Sequence, residues 1–344
     1  MKEIGSEFWE IPVQEELQTI KMPSGTKYLA SGRSALSYII EDIKEKEPLR
    51  TILLPSYCCE TMIEPFLSHG IDVEFYPVTI DDHGRLKQEI PGNHGSDGIL
   101  LMDYFGYKRG EHRTKKREIS IYDATHSIFT GMISNVDYLY GSMRKWAGFW
   151  TGGYAYCING EFALPEPSVM DHAYVELRKK AMEEKDAYIK GCSDDQNKSF
   201  LSLFARASEM MTSKSNLCAA ERDVELLSKF DVMGMKQQRR ENAKVLLKYV
   251  DKYALFAELS EDDCPLFVPV VLPNKIRDRL RKHLIEKRIY CPIHWPISRL
   301  HKLTPETERI YTEELSLVCD QRYDEKDMER MGQIIVEFLA QEHL

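Results

Sequence analysis

The stretch Tyr138-Leu-Tyr-Gly-Ser-Met-Arg-Lys-Trp-Ala-Gly-Phe-Trp-Thr-Gly-Gly-Tyr154 decides how the rest of the chain is read. It begins with a short strand-like run, 138–140. Ser142 follows, Lys145 comes three residues later, and Gly152-Gly153 opens a further apolar run, 153–158. Upstream, Ile119-Ser-Ile-Tyr-Asp-Ala-Thr-His126 is another apolar run, and it ends on an acid, Asp123. Earlier runs at Thr51–Pro55, 73–76 and 99–103 are of the same kind. Short, nearly all-apolar strands are buried on both faces, as in a mainly parallel sheet between helix layers. The segment 34–46 supplies such a helix, with Ala35, Tyr38, Ile39 and Ile43 on one face. A second helix is expected over 58–69, where Gly70 is a suitable stop. The fold class is therefore α/β. Ligands of such sheets bind at the carboxyl ends of the strands, where Asp103, Asp123 and Ser142 fall.

The second half reads differently. From 170 to 253 the chain is charged and helical, with apolar residues at helical spacing over 221–229 and 237–249. Beyond Asp262 the pattern predicts a strand at 265–272, a helix at 275–287, a strand at 315–319 and a closing helix over Glu325–Gln341. We expect a large domain over 1–235 and a small α+β domain over 236–344, since 344 residues exceed what one small core needs. The net charge of −9 supplies no basic footprint for nucleic acid or an anionic membrane surface. No run approaches a membrane span, and the first residues lack the apolar core of a signal peptide. The eight cysteines form no Cys-x-x-Cys pair, so packed thiols in a reduced, cytoplasmic protein are expected, Cys58-Cys59 among them.

A lysine and an aspartate at the ends of neighbouring strands meet the needs of pyridoxal 5'-phosphate (PLP). The amine forms a Schiff base with the aldehyde, and the carboxylate keeps the pyridine nitrogen protonated, so the ring can take up electrons. Lys145, once freed by substrate, would carry the proton between the substrate carbon and the cofactor. Desolvation and nearby positive charge can lower a lysine pKa for that task. Asp123 would hold the ring nitrogen, although a strand-end aspartate can also cap a turn. His126 would hydrogen-bond the phenolic oxygen or stack nearby. Gly32, Arg33 and Ser34 open the first helix, whose amides suit a phosphate, and Gly32 permits close approach. Ser31 or Ser34 can serve as N-cap in the same turn.

In their order along the chain, several motifs resemble fold-type I PLP enzymes, and among them the DegT/StrS-type sugar aminotransferases. These are Ser31-Gly-Arg-Ser-Ala-Leu36, Leu54-Pro-Ser-Tyr57, Tyr122-Asp-Ala-Thr-His126, the lysine loop 142–153, Ala219-Ala220, Leu226-Leu227, Arg239-Arg240-Glu-Asn-Ala243, His294-Trp-Pro296 and Leu315-Ser-Leu317. The resemblance implies a mostly parallel seven-stranded sheet, with a small C-terminal domain over the site. It implies a homodimer with shared active sites and a transamination from glutamate to a nucleotide-linked keto-sugar. It assigns catalysis to Lys145 and Asp123. It assigns the cofactor to those two with Gly32, Arg33, Ser34, Cys59, His126 and Ser142, the last reaching the phosphate. Dehydratase relatives carry His in place of the lysine, so Lys145 argues against that branch.

Two positions depart from the family pattern. Cys59 stands where relatives place an aromatic against the ring, which leaves Tyr57, His126 or a residue elsewhere to stack. Met211 stands where relatives place an Asn that reaches the partner's cofactor phosphate, with Lys214 and Asn216 as nearby substitutes. Asp103-Tyr-Phe-Gly106 is expected on the substrate side of the ring, and His294-Trp295 is expected to reach in from the small domain. The aromatics of 146–150 suit an interface or a core. A small non-sugar substrate, in a PLP aminotransferase or lyase, and a non-catalytic PLP-binding protein remain alternatives.

Overall fold

The apolar runs pair side by side because each has no polar face to offer water. The computed structural model describes residues 2–14, 22–81, 84–108, 118–131, 135–192, 197–211, 214–273 and 275–343. Seven strands form one sheet: β1 (Lys27–Leu29), β2 (Thr51–Pro55), β3 (Asp72–Tyr76), β4 (Gly98–Met102), β5 (Ile119–Asp123), β6 (Tyr138–Ser142) and β7 (Gly153–Cys157). Their order is β3-β2-β4-β5-β6-β7-β1, and only β7 runs against its neighbours. The α/β fold class and the mostly parallel sheet expected from the sequence are what the structure shows. Every residue of β4 and β5 is buried, which is why their sequences do not alternate.

Helix α1 (Gly32–Lys46) packs along β6 and β7, and α2 (Glu60–Ser68) packs on α1 and β3. Cys59 has extended backbone and serves as the N-cap of α2, so the helix starts two residues later than the sequence suggests. Gly70 follows the helix at φ +73°. The return from β6 to β7 depends on Gly153: a Cβ there would lie 2.1 Å from the Ser31 carbonyl oxygen. The Gly-Gly pair is thus what lets the turn before α1 lie against the start of β7.

Helices α3 (His172–Ile189), α4 (Phe200–Met210) and α5 (Glu221–Leu227) follow, then α6 (Val232–Val250). Strands Val268–Val271 and Glu314–Leu317 pair antiparallel. They share a second core with α6, α7 (Ile276–Glu286) and α9 (Glu325–Gln341). The α9 N-terminus carries a capping box between Asp324 and Asp327. Helix α8 (Pro305–Glu313) was not foreseen, although Thr304 as cap and Pro305 in the first turn mark its start. Also unforeseen is the course of the first residues. Ile4–Gly5 pairs in parallel with Ile289–Tyr290, the Gly5 amide donates to the Tyr323 hydroxyl at 2.8 Å, and Gly148 donates to the Glu10 carbonyl at 2.8 Å. No helix among the described residues is long and apolar enough to cross a membrane.

Candidate active site

The strand register sets the site. Asp123 ends β5 opposite Tyr140 of β6, and Ser142 ends β6 opposite Gly153. After Ser142 the chain turns through a short 3-10 segment, Met143–Lys145, which carries Lys145 back over the strand ends. A cavity of about 280 Å³ lies there. It is lined by Gly32, Arg33, Cys59, Asp123, His126, Ser142 and Lys145 from the sequence-based set, and also by Ser31, Thr61, Tyr140, Arg144, Met211, Trp295 and Glu7.

Ser34 is the member of that set which does not reach the wall. It is fully buried, and its amide donates to the Ser31 hydroxyl at 3.1 Å, which caps α1. With the Ser34 amide used in the cap, Gly32 and Arg33 provide the first-turn amides at the wall. A Cβ on Gly32 would stand 3.3 Å from the Ser142 Cβ, so the bare glycine keeps open a notch between the helix start and the end of β6.

Asp123 is buried, and its oxygens accept from the Thr125 amide at 2.8 Å and the Tyr140 hydroxyl at 2.9 Å. Burial raises its carboxyl above the usual carboxylate range, against the lowering by these donors and the Lys145 charge. Its hydrogen-bond donors, the Thr125 amide and the Tyr140 hydroxyl, are both uncharged. A buried carboxyl with neutral donors and an open cavity beside it fits a ring N–H⁺ as its missing cationic partner.

His126 is buried, and its Nδ1 accepts from the Phe105 amide at 3.3 Å. Burial and then the Lys145 charge lower its pKa to about 3, so the imidazole is neutral. With Nδ1 as acceptor the proton sits on Nε2, which makes that nitrogen a donor. Trp295 stacks on His126, with ring centroids 5.5 Å apart and planes 24° apart.

Lys145 is exposed at the mouth of this cavity. It also lines a second, larger cavity of about 480 Å³, together with Arg144, Glu7, His294, Phe8, Phe267, Tyr290 and Arg322. Glu7 stands where the two cavities meet. Burial would raise its carboxyl, yet the charges of Arg178, Arg144, Lys145 and Lys185 hold it below the usual range. The His294 imidazole is kept neutral by burial, then by Lys145 and His126, and its Nδ1 lies 2.8 Å from the Ser316 hydroxyl.

Other expectations fall differently. Tyr57 does not line the cavity. It is fully buried, hydrogen-bonds the His294 carbonyl and packs edge-on to Tyr311, so the aromatic groups at the cavity are His126, Trp295 and Tyr140. Asp103, just past the end of β4, is buried, lines neither cavity and accepts from the Tyr122 hydroxyl at 2.8 Å. Trp146 is core, with its ring under the Arg239 guanidinium. His294 and Trp295 do reach the site, one at each cavity. Lys214 and Asn216 line neither cavity. Sequence reasoning missed Tyr140, Arg144 and Glu7. Tyr140 had a signal, since it shares a strand face with Ser142 by period-two alternation. Glu7 had none.

No family model and no curated protein matches the sequence. Solved structures do share the fold. PseC of Helicobacter pylori, an aminotransferase involved in pseudoaminic acid biosynthesis, aligns at TM-score 0.61 and 13% identity, over 97% of this chain and 99% of its own. DesI, solved in the presence of its TDP-sugar product, aligns at 0.61 and 13%, over 93% and 83%. GDP-4-keto-6-deoxymannose-3-dehydratase, with a trapped PLP-glutamate geminal diamine, aligns at 0.60 and 15%, over 90% and 87%. The chain thus has the fold of these sugar-modifying enzymes along nearly its whole length.

Proposed function

We propose that the chain is a PLP-dependent aminotransferase that takes an amino group from glutamate and delivers it to the keto group of a nucleotide-linked sugar. The observation that carries this reading is the meeting of Lys145, Asp123 and the start of α1 around one cavity at the strand ends. The folds shared with PseC and DesI support the sugar acceptor, and the PLP-glutamate adduct in the dehydratase supports the donor.

The residues fit the cofactor at three points. Asp123 lacks a cationic partner and would hold the ring nitrogen. The notch between Gly32 and Ser142, with the Arg33 amide, would receive the phosphate. His126 Nε2–H would donate to the phenolic oxygen, with Cys59 on the same wall. Bound there, PLP supplies an aldehyde and an electron-withdrawing ring. Asp123 keeps a proton on the ring nitrogen, and Lys145 Nζ takes and returns the proton of the substrate carbon. The larger cavity on the other side of Lys145 gives the acceptor room. A homodimer in the cytoplasm, its second subunit covering the exposed side of Lys145, belongs to the same proposal.

The test is an absorption spectrum with PLP before and after borohydride, followed by peptide mapping. A visible band reduced to a pyridoxyl adduct on Lys145 is expected, and an adduct on another lysine overturns the assignment. A screen of nucleotide-linked keto-sugars against small keto acids then separates the sugar reading from a non-sugar aminotransferase. PLP bound without any amino transfer identifies a non-catalytic protein.

A further inference from the structure

Most buried arginines near the site are already satisfied. Arg322 holds Asp320 through two nitrogens at 2.8 and 2.7 Å, and Arg239 donates to Gln321 and to the Pro265 and Leu266 carbonyls. Arg144 differs. Its Nη1 meets only the Met211 thioether, at 2.7 Å, and its buried Nε has no hydrogen-bond partner. Arg33 approaches the same residue from the other side, donating to the Met211 carbonyl at 3.2 Å, with Glu64 at 3.5 Å. Two guanidinium groups therefore converge on a methionine, which offers a thioether and a carbonyl but no charge. Both arginines line the cavity that also holds Ser31, Gly32 and Ser142. A thioether is a poor acceptor, and a buried guanidinium nitrogen left without one costs free energy that an anion would recover.

Resting on the PLP reading above, we propose that the side chains of Arg144 and Arg33 bind the cofactor's phosphate. The chain would thereby supply from within itself the contact that Met211 cannot make. Arg144 is the stronger of the two because its buried Nε has no hydrogen-bond partner and Glu7 is near it only as one of several charges, whereas Arg33 is paired with Glu64. A guanidinium offers two parallel N–H donors to a phosphate, which a lysine does not.

The test compares PLP with pyridoxal, which has the aldehyde and ring but no phosphate. Dissociation constants are measured by absorbance and fluorescence on the full chain, for wild type, Arg144→Ala, Arg144→Lys and Arg33→Ala. A thermal melt confirms that each variant is folded. Arg144→Ala is expected to weaken PLP about 10- to 100-fold and to leave pyridoxal unchanged. Arg144→Lys should recover part of the loss, and Arg33→Ala should lose less. Inorganic phosphate should compete with PLP in wild type and much less in Arg144→Ala. Equal weakening of PLP and pyridoxal overturns the inference. So does an unchanged PLP constant with a raised KM for the amino donor, which would assign Arg144 to substrate. If Arg144→Ala does not fold, Arg144→Lys and Arg33→Ala decide by the same ratio. Wild type that binds neither aldehyde refutes the PLP reading itself, which separates the two failures.

Discussion

The two cavities that meet at Lys145 are built in opposite ways. The smaller is a product of strand register: Asp123, Tyr140 and Ser142 occupy it because β5 and β6 pair as they do, and α1 begins beside them. The larger is a product of long-range docking, with walls from the first residues, α4, α7 and the loop around Asp320. Glu7, Arg144 and Lys145 line both; the first adds Asp123, His126 and Arg33, and the second adds Arg239, Arg281 and Arg322. On the proposed reading, local sequence specifies the cofactor seat, whereas the substrate seat depends on segments that meet only in the finished fold.

The sharpest way to break this contrast is to remove Lys145, which with Glu7 and Arg144 lines both cavities. Lys145→Ala should abolish the borohydride-trapped adduct and reduce amino transfer by at least about a thousandfold, with the fold intact by circular dichroism. Asp123→Asn comes next, at about 10²–10⁴-fold in the rate of the donor half-reaction. Survival of most of that rate would mean that Asp123 serves the Thr125 turn rather than a ring nitrogen. Glu7→Gln tests the other cavity. With Glu7 44% exposed, the cost should be about 0.5 kcal/mol, seen as a Tm lower by about one degree, because Arg178 and Lys185 lose a counter-charge. The spectrum of bound PLP should not change.

The pH dependence probes the seat they share. Folding holds His126 at about 3, far below its unfolded value near 6.5. The unfolded chain therefore takes up the proton first, and stability falls as pH drops from about 6.5 toward 3. His294, also lowered, acts in the same direction. Each contributes up to about 1.4 kcal/mol per pH unit. His126→Asn should flatten the acid limb of a urea-melt series by about one proton, and an unchanged slope would place the titration elsewhere. The smallest effect is expected from Met211→Leu, under about threefold on the PLP constant, since only a weak thioether contact is lost.

What the sequence made legible follows the same division. Apolar runs ending on Asp123 and Ser142, and a small-residue turn before α1, were enough to place the sheet and the seat, because both depend on neighbours within one strand or turn. The exclusion of Ser34 was not legible, since Ser31 and Ser34 are equally good caps until the hydrogen bond forms. Tyr57 reads as a stacking residue until Tyr311 of α8 closes over it. Arg144 carries no local mark, because its meaning comes from Met211 at the end of α4. Glu7 lies in a segment whose place is set by Ile289–Tyr290 at the other end of the chain.

That last arrangement puts a clock on the molecule's birth. Gly5 leaves the ribosome early, but the Tyr323 hydroxyl it binds is 318 positions downstream. At 5–20 residues per second, the opening segment waits roughly 15–65 s for its partner. Through that interval Ile4 lacks the core that it shares with α6, α7 and α9, and Phe8 lacks the Arg322 guanidinium that lies over its ring. The segment around Gly5 is thus among the last to find its place, and the wall between the two cavities closes only when it does. A chaperone that shields this segment on the nascent chain should raise the yield of this protein more than one that acts on the completed chain.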